Sequence, residues 1–346
     1  MTKQHIIKIV KTIVTLAICA AVFFGGYRAL DRLLCFKSIH GINQTRAMYY
    51  QPKNSIDVVF MGSSHIHCGI NNAELWTDYG IASMDYSAAE QTFWQTYYYI
   101  QELLKTQRPK MICLDVFSAV VNTDDWQYKL LYENVYGMRF SMTKWKMLEA
   151  SCETLEMRMQ YISNMFGYHT RYTVLTPEDY RAVTQLPEDM RNYKGYTPFL
   201  AANPIQARQY PDAQPDGLTE KIEKYLRLII ELCQKEEIEL FLMVVPYEQW
   251  TEYHACTFKE IELLAAEYSV PYVNYAEMMV EIGMDPVTDF RDPTHMNHQG
   301  ATKFSSILGA YLSESCGIPD RRGEPGYESW DRFVEYVDEL VKTGGH

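Results

Sequence analysis

Positive charge is scarce in this chain: 32 Lys and Arg stand against 44 Asp and Glu, a formal net charge of −12. A nucleic-acid binder presents a basic face, so no nucleic-acid partner is expected. Cysteines at metal-binding spacing are also lacking. The eight cysteines form no Cys-x-x-Cys pair and no zinc pattern. Cys113 and Cys233 fall in apolar stretches that suit inert buried thiols. No segment repeats. At 346 residues the chain is long enough to bury a sizeable core as one large domain or two smaller ones.

Long apolar runs are limited to one. Residues 12–27 are nearly all apolar or small, and with Ile6, Ile7, Ile9 and Val10 the run approaches the roughly 20 residues of a spanning helix. No small-x-small cleavage site precedes the charged run from Arg28 to Arg32, which favours an uncleaved anchor over a signal peptide. Leu16-Ala17-Ile18-Cys19 is a poor lipoprotein box, because Ile18 is bulky where a small residue belongs. Arg28, Arg32 and Lys37 nearly balance Lys3, Lys8 and Lys11, so loop charge says little about orientation.

After the anchor (1–37) and a polar spacer (38–54), strand and helix patterns alternate. Strands are expected at Ile56–Met61, Ile81–Tyr86 and Met111–Phe117, with helices over Asn71–Tyr79 and Gln91–Thr106. The alternation points to a parallel sheet covered on both faces. It stops over residues 118–217, which are aromatic-rich and too long for a loop, and read as a helical cap inserted after the third strand. From Leu218 the rhythm resumes: a helix through Ile222 to Leu232, a strand at Ile238–Val245, a helix at Phe258–Tyr268 and a strand at Val270–Tyr275. A closing helix carries Ala301 to Leu312. The α/β domain thus comprises 55–117 and 218–315, and 316–346 forms a linker and an amphipathic helix that docks on the domain or on a partner.

Two short segments carry the chemistry. Val58-Val59-Phe60-Met61 runs into Gly62-Ser63-Ser64-His65, putting a serine where open α/β sheets place their ligands. Alone this reads as a plain turn. Far along the chain, Asp292-Pro293-Thr294-His295 offers a base and the carboxylate to orient it. No Gly-x-Ser-x-Gly elbow is present, and acid and base are neighbours, which argues against an α/β-hydrolase. His65, His67 and Cys68 share a face only if extended, and a fourth metal ligand is missing, so no metal is expected.

An early Gly-x-Ser after the first strand and a late Asp-x-x-His before the last helix resemble the SGNH (GDSL-like) hydrolase family, over about residues 55–313. The resemblance is to membrane-anchored SGNH proteins of bacterial cell-surface acylation, of the teichoic-acid D-alanylation and polysaccharide O-acetylation type. It implies a three-layer α/β/α, flavodoxin-like fold with a five-stranded parallel sheet, a helical cap and one N-terminal transmembrane helix. It further implies Ser64 as nucleophile, His295 as base and Asp292 as its partner, with Ser63 at the family's Asp position. The choice between the two serines rests on that alignment. The middle of the family pattern is broken. Ser87 stands nearest the Gly of the second block, and Leu114-Asp115-Val116 replaces Gly-x-Asn-Asp after the third strand. Oxyanion donors would then be the backbone N–H groups of Ser64 and Ser87.

Substrate-binding candidates are His65, as a wall of the site, with Gln91 and Asp115. Tyr168-His169-Thr170-Arg171-Tyr172 and Asn192-Tyr193-Lys194-Gly195-Tyr196 resemble cap segments of the same proteins, which adds Tyr168, His169, Arg171 and Lys194. The function so implied is an extracytoplasmic serine acyltransferase or esterase needing no cofactor. Its acyl-enzyme would pass the acyl group to a cell-surface polysaccharide or teichoic acid, with a multi-span membrane O-acyltransferase as a partner. A plain carbohydrate esterase and a catalytically silent scaffold subunit are the alternatives.

Overall fold

The computed structural model describes all residues except 1–2, 122–129, 185–187, 207–209, 216, 250 and 345–346. Five parallel strands form the central sheet: β1 (Val58–Met61), β2 (Ser83–Asp85), β3 (Met111–Asp115), β4 (Glu239–Val244) and β5 (Tyr272–Asn274). Their order is β2-β1-β3-β4-β5. That order reverses direction between β1 and β3, and the crevice above the carboxyl ends of those strands is where doubly wound sheets bind ligands.

The apolar runs explain the layers. Val59 and Met61, Ile112 and Leu114, and Leu240, Leu242 and Val244 enter one core cluster. The alternate residues Val58 and Phe60, Met111 and Cys113, and Phe241 and Met243 enter another. A period of two on strands apolar at every position fills both faces at once, as a buried parallel sheet requires. Helices Phe93–Leu103, Glu220–Lys235 and Glu328–Thr343 contribute to the first cluster. Helix His298–Ala310 contributes Phe304 and Leu308 to the second. All eight cysteines are free, with Cys113 and Cys233 buried.

Several boundaries differ from the sequence expectation. β5 is trimmed to three residues. The helix expected from Phe258 starts at Glu252, because Thr251 caps it by accepting the His254 N–H. A short helix, Ser64–Gly69, stands between β1 and helix Asn72–Tyr79, whose cap is Asn71. The C-terminal helix docks on the domain itself. Trp330, Phe333 and Val337 are buried, and the Trp330 indole donates to the Ser83 carbonyl.

The N-terminal helix Lys3–Leu34 is long and apolar enough to cross a membrane. The segment after β3 is largely helical, but it packs sideways. Met142–Ser151 lies against Phe93–Leu103, Pro177–Thr184 against the N-terminal apolar helix, and Glu188–Asn192 against helix Ile42–Met48 and the C-terminal helix. Among the described residues, its trailing stretch from Tyr196 to Ile205 is the part tied to the loops after β1 and to the Asp292 segment. There Thr197 N–H donates to His67, Asn203 N–H to Phe290, and Phe199 accepts from His298 N–H.

Candidate active site

Gly62 ends β1 at φ +143°, and a Cβ there would lie 3.0 Å from Asp115 Cβ, so glycine is required by both backbone and space. The turn then opens the helix Ser64–Gly69. Ser63 is its N-cap, with a side chain that accepts the His65 N–H at 3.4 Å and is buried at 2% exposure. Capping occupies Ser63. Ser64, one residue later, is half-buried, with Oγ 2.8 Å from His295 Nε2. As the first helical residue, Ser64 carries a backbone N–H that the helix cannot engage.

The other half of the pair comes from a two-stranded antiparallel hairpin, β6 (Phe290–Asp292) and β7 (His295–Met296), in which Asp292 and His295 face each other. Phe290 is buried beneath it, and the Pro293 carbonyl accepts the N–H groups of Glu248 and Gln249. The loop after β4 therefore holds the turn in place. Asp292 reaches His295 Nδ1 at 2.9 and 3.1 Å with its two oxygens. It also accepts the N–H groups of Thr294 and His295, at 2.9 and 3.0 Å, and the Thr294 hydroxyl at 2.7 Å. Burial works to raise the Asp292 carboxyl, but the hydrogen bonds from His295 and Thr294 outweigh it and hold the group well below the usual carboxylate range. An ionised Asp292 fixes the proton on Nδ1, leaving Nε2 as an acceptor toward Ser64. The site is open to solvent, with the His295 side chain 25% and the Asp292 side chain 38% exposed.

Behind His295 lies a closed wall. The His65 ring stacks on Phe117 at 3.6 Å between centroids and meets His295 edge-on at 5.6 Å. Burial, then the nearby His295, push His65 far below its ordinary value, so it is neutral. Asp115, at the carboxyl end of β3, is fully buried, with Oδ2 3.8 Å from His65 Nδ1. Burial raises its carboxyl to about 7 against the pull of the Val245 and Phe117 N–H groups, which donate to Oδ1. Through Oδ1 the buried Asp115 thus ties the end of β3 to the start of the loop after β4.

Ser87 lies opposite Gly62. The N–H groups of Tyr86 and Ala88 donate to Phe60 and Gly62, so alternation turns the Ser87 N–H away from β1. Its hydroxyl is 3.1 Å from His67 Nδ1, and His67 Nε2 is 3.4 Å from His40 Nδ1. The Ser64 N–H remains the better-placed oxyanion donor. No group of three or more potential metal ligands occurs among the described residues, and the helical turn sends His65 and His67 to different neighbours.

The remaining candidates engage other partners. Lys194 is fully buried, with all three ammonium protons used by Gln51, the Arg191 carbonyl and Ser329, above the Trp330 ring. Arg171 forms a bidentate pair with Asp179 at 2.9 and 3.0 Å and donates to the Leu33 and Cys35 carbonyls. Tyr168 packs on Phe36 and Tyr136 beside the end of the N-terminal apolar helix, and His169 bonds the Phe166 carbonyl. Gln91 is buried and accepts from Thr96. Sequence reasoning passed over Thr294, although it stands inside the Asp-x-x-His spacing. It also passed over His40, Phe117 and Tyr247, which no local pattern marks.

No family model matches this chain, and no curated protein does. Among solved structures that match is a presumed acylhydrolase of Bacteroides fragilis, at 11% identity and a TM-score of 0.39, covering 77% of this chain and 90% of that one.

Proposed function

We propose that the protein is a membrane-anchored serine ester hydrolase or acyltransferase of SGNH-like design, with Ser64 as nucleophile. The observation that carries this reading is the unbroken chain from Ser64 Oγ through His295 to Asp292, at the carboxyl end of β1 beside the switch point of the sheet. His295 Nε2 takes the Ser64 proton as Oγ attacks the ester carbonyl carbon. The oxyanion forms beside the Ser64 N–H. As the intermediate collapses, the bond to the alcohol oxygen breaks, and His295 returns the proton to that leaving oxygen. Water, or a second hydroxyl, then releases the acyl group by the same steps.

The acyl acceptor divides the finer readings. The membrane helix and the motif pattern favour a domain outside the cytoplasm and a cell-surface polysaccharide or teichoic-acid hydroxyl as acceptor, with a membrane O-acyltransferase as a source of partners. The exposure of Asp292 and His295 favours water, and with it plain ester hydrolysis. The test is intact-mass measurement of the full-length chain in detergent after a fluorophosphonate, followed by turnover of a chromogenic acetyl ester with and without added glycan. One adduct that disappears in Ser64→Ala supports the reading. A folded protein that takes no adduct favours the silent scaffold subunit.

A further inference from the structure

The membrane helix continues past the bilayer. At 1.5 Å per residue, Lys3–Leu34 runs about 48 Å, against roughly 30 Å of hydrocarbon. Its last turns, carrying Arg28, Asp31 and Arg32, form one wall of a cavity of about 280 Å³, and Arg46, Arg139 and Lys144 stand on the domain side. That volume is just under the ~300–1,000 Å³ typical of small-molecule sites. Five cations and one carboxylate line this space in a chain of net charge −12. Arg28 and Arg139 are exposed and Arg32 and Arg46 half-buried, so much of this excess charge faces solvent, while Asp31 and the buried Glu102 both act on the inner cation, Lys144.

Lys144 makes the need for an anion specific. It is 2% exposed, and its one hydrogen bond among the described residues goes to the Met138 carbonyl at 3.2 Å, although an ammonium has three donors. Burial lowers it to about 8, a shift that an adjacent anion would reverse. Arg139 lies over the Tyr49 ring at 4.3 Å, which orients a planar fork suited to phosphate oxygens.

We propose that this cavity binds the phosphate of an anionic lipid headgroup, drawn from the leaflet that the membrane helix leaves. A wall made by the membrane helix itself favours a ligand that is already in the bilayer over one that diffuses from solution. The proposal stands apart from the chemistry at Ser64, since neither rests on the other's residues.

The test uses the full-length chain, delipidated in a nonionic detergent. Phosphatidylglycerol should raise the melting temperature and remain bound in native mass spectra, while phosphatidylcholine does neither. Arg46→Gln and Arg139→Gln, each at a position that is not fully buried, should each cut the retained phosphatidylglycerol about tenfold. Equal effects of the two lipids, or retention unchanged in both variants, would overturn the site. Stabilisation by inorganic phosphate that matches phosphatidylglycerol would overturn the lipid source and leave a free phosphate as ligand.

Discussion

The Asp292–His295 hairpin and the cavity beside the N-terminal apolar helix are both clusters of ionisable side chains, built in opposite ways. In the hairpin the acid, the base and the turn between them all have partners. Asp292 accepts from His295 and Thr294, His295 faces Ser64, and the Pro293 carbonyl is taken up by the loop after β4. Around the cavity the cations outnumber the single carboxylate, and a buried ammonium makes one bond. A closed network holds a fixed geometry by itself, whereas excess charge of one sign attracts a counter-charge. The proposed reaction falls to the first region and the proposed anion to the second.

The largest expected effect tests the hairpin. Ser64→Ala should remove fluorophosphonate labelling and ester cleavage, and His295→Ala should lower turnover by roughly 10⁴- to 10⁶-fold. Ser63→Ala, which removes only the cap, should keep labelling while costing about 0.5–2 kcal/mol of stability. Loss of labelling in a folded Ser63→Ala protein would move the nucleophile and undo the contrast.

A smaller effect comes from the wall behind the hairpin. With its carboxyl raised to about 7, Asp115 keeps a proton that the unfolded chain releases near pH 4. The native state then binds more protons than the unfolded one between those values, so this group makes stability fall as pH rises from about 4 to 7. His65, lowered by burial, acts the opposite way below about pH 6.5. Asp115→Asn should therefore gain on the wild type across that window, by on the order of 2–4 kcal/mol at pH 8. Melting temperatures of both proteins from pH 4 to 8 check it. Parallel curves would mean that Asp115 is ionised in the fold.

Arg171→Ala sharpens the contrast from the other side. Asp179 keeps Lys37 as a partner, so the cost should be about 1–3 kcal/mol, read as faster proteolysis of the insertion, with labelling of Ser64 intact. Reduced labelling would return Arg171 to the reactive site. The smallest effect is expected from Thr294→Val. Its hydroxyl bonds a carboxylate that retains three other donors, so kcat/KM should fall about three- to tenfold.

Much of the fold was legible because strands buried on both faces must be apolar at every position, as Val58–Met61 and Met111–Leu114 are. The short helix at Ser64 was not. Six residues are too few for a periodic signal, and the turn depends on the Ser63 cap. The partners of Arg171 and Lys194 were not legible for a different reason. A sequence displays a guanidinium or an ammonium, but the carboxylate or carbonyl that engages it lies far along the chain. Asp179 takes up Arg171, and Gln51 and Ser329 take up Lys194.

By itself the sequence determined what local geometry can carry: the apolar helix, the alternating strands, the glycine at position 62, and an acid three residues before a base. Those depend on residue type and on spacings within a few residues. Only the tertiary structure decided that Ser64 meets His295 across 231 positions, that Ser63 caps a helix, and that the insertion packs beside the N-terminal apolar helix. Strand order 2-1-3-4-5 brings the end of β1 to the closing hairpin, and that order is set by which apolar faces bury one another.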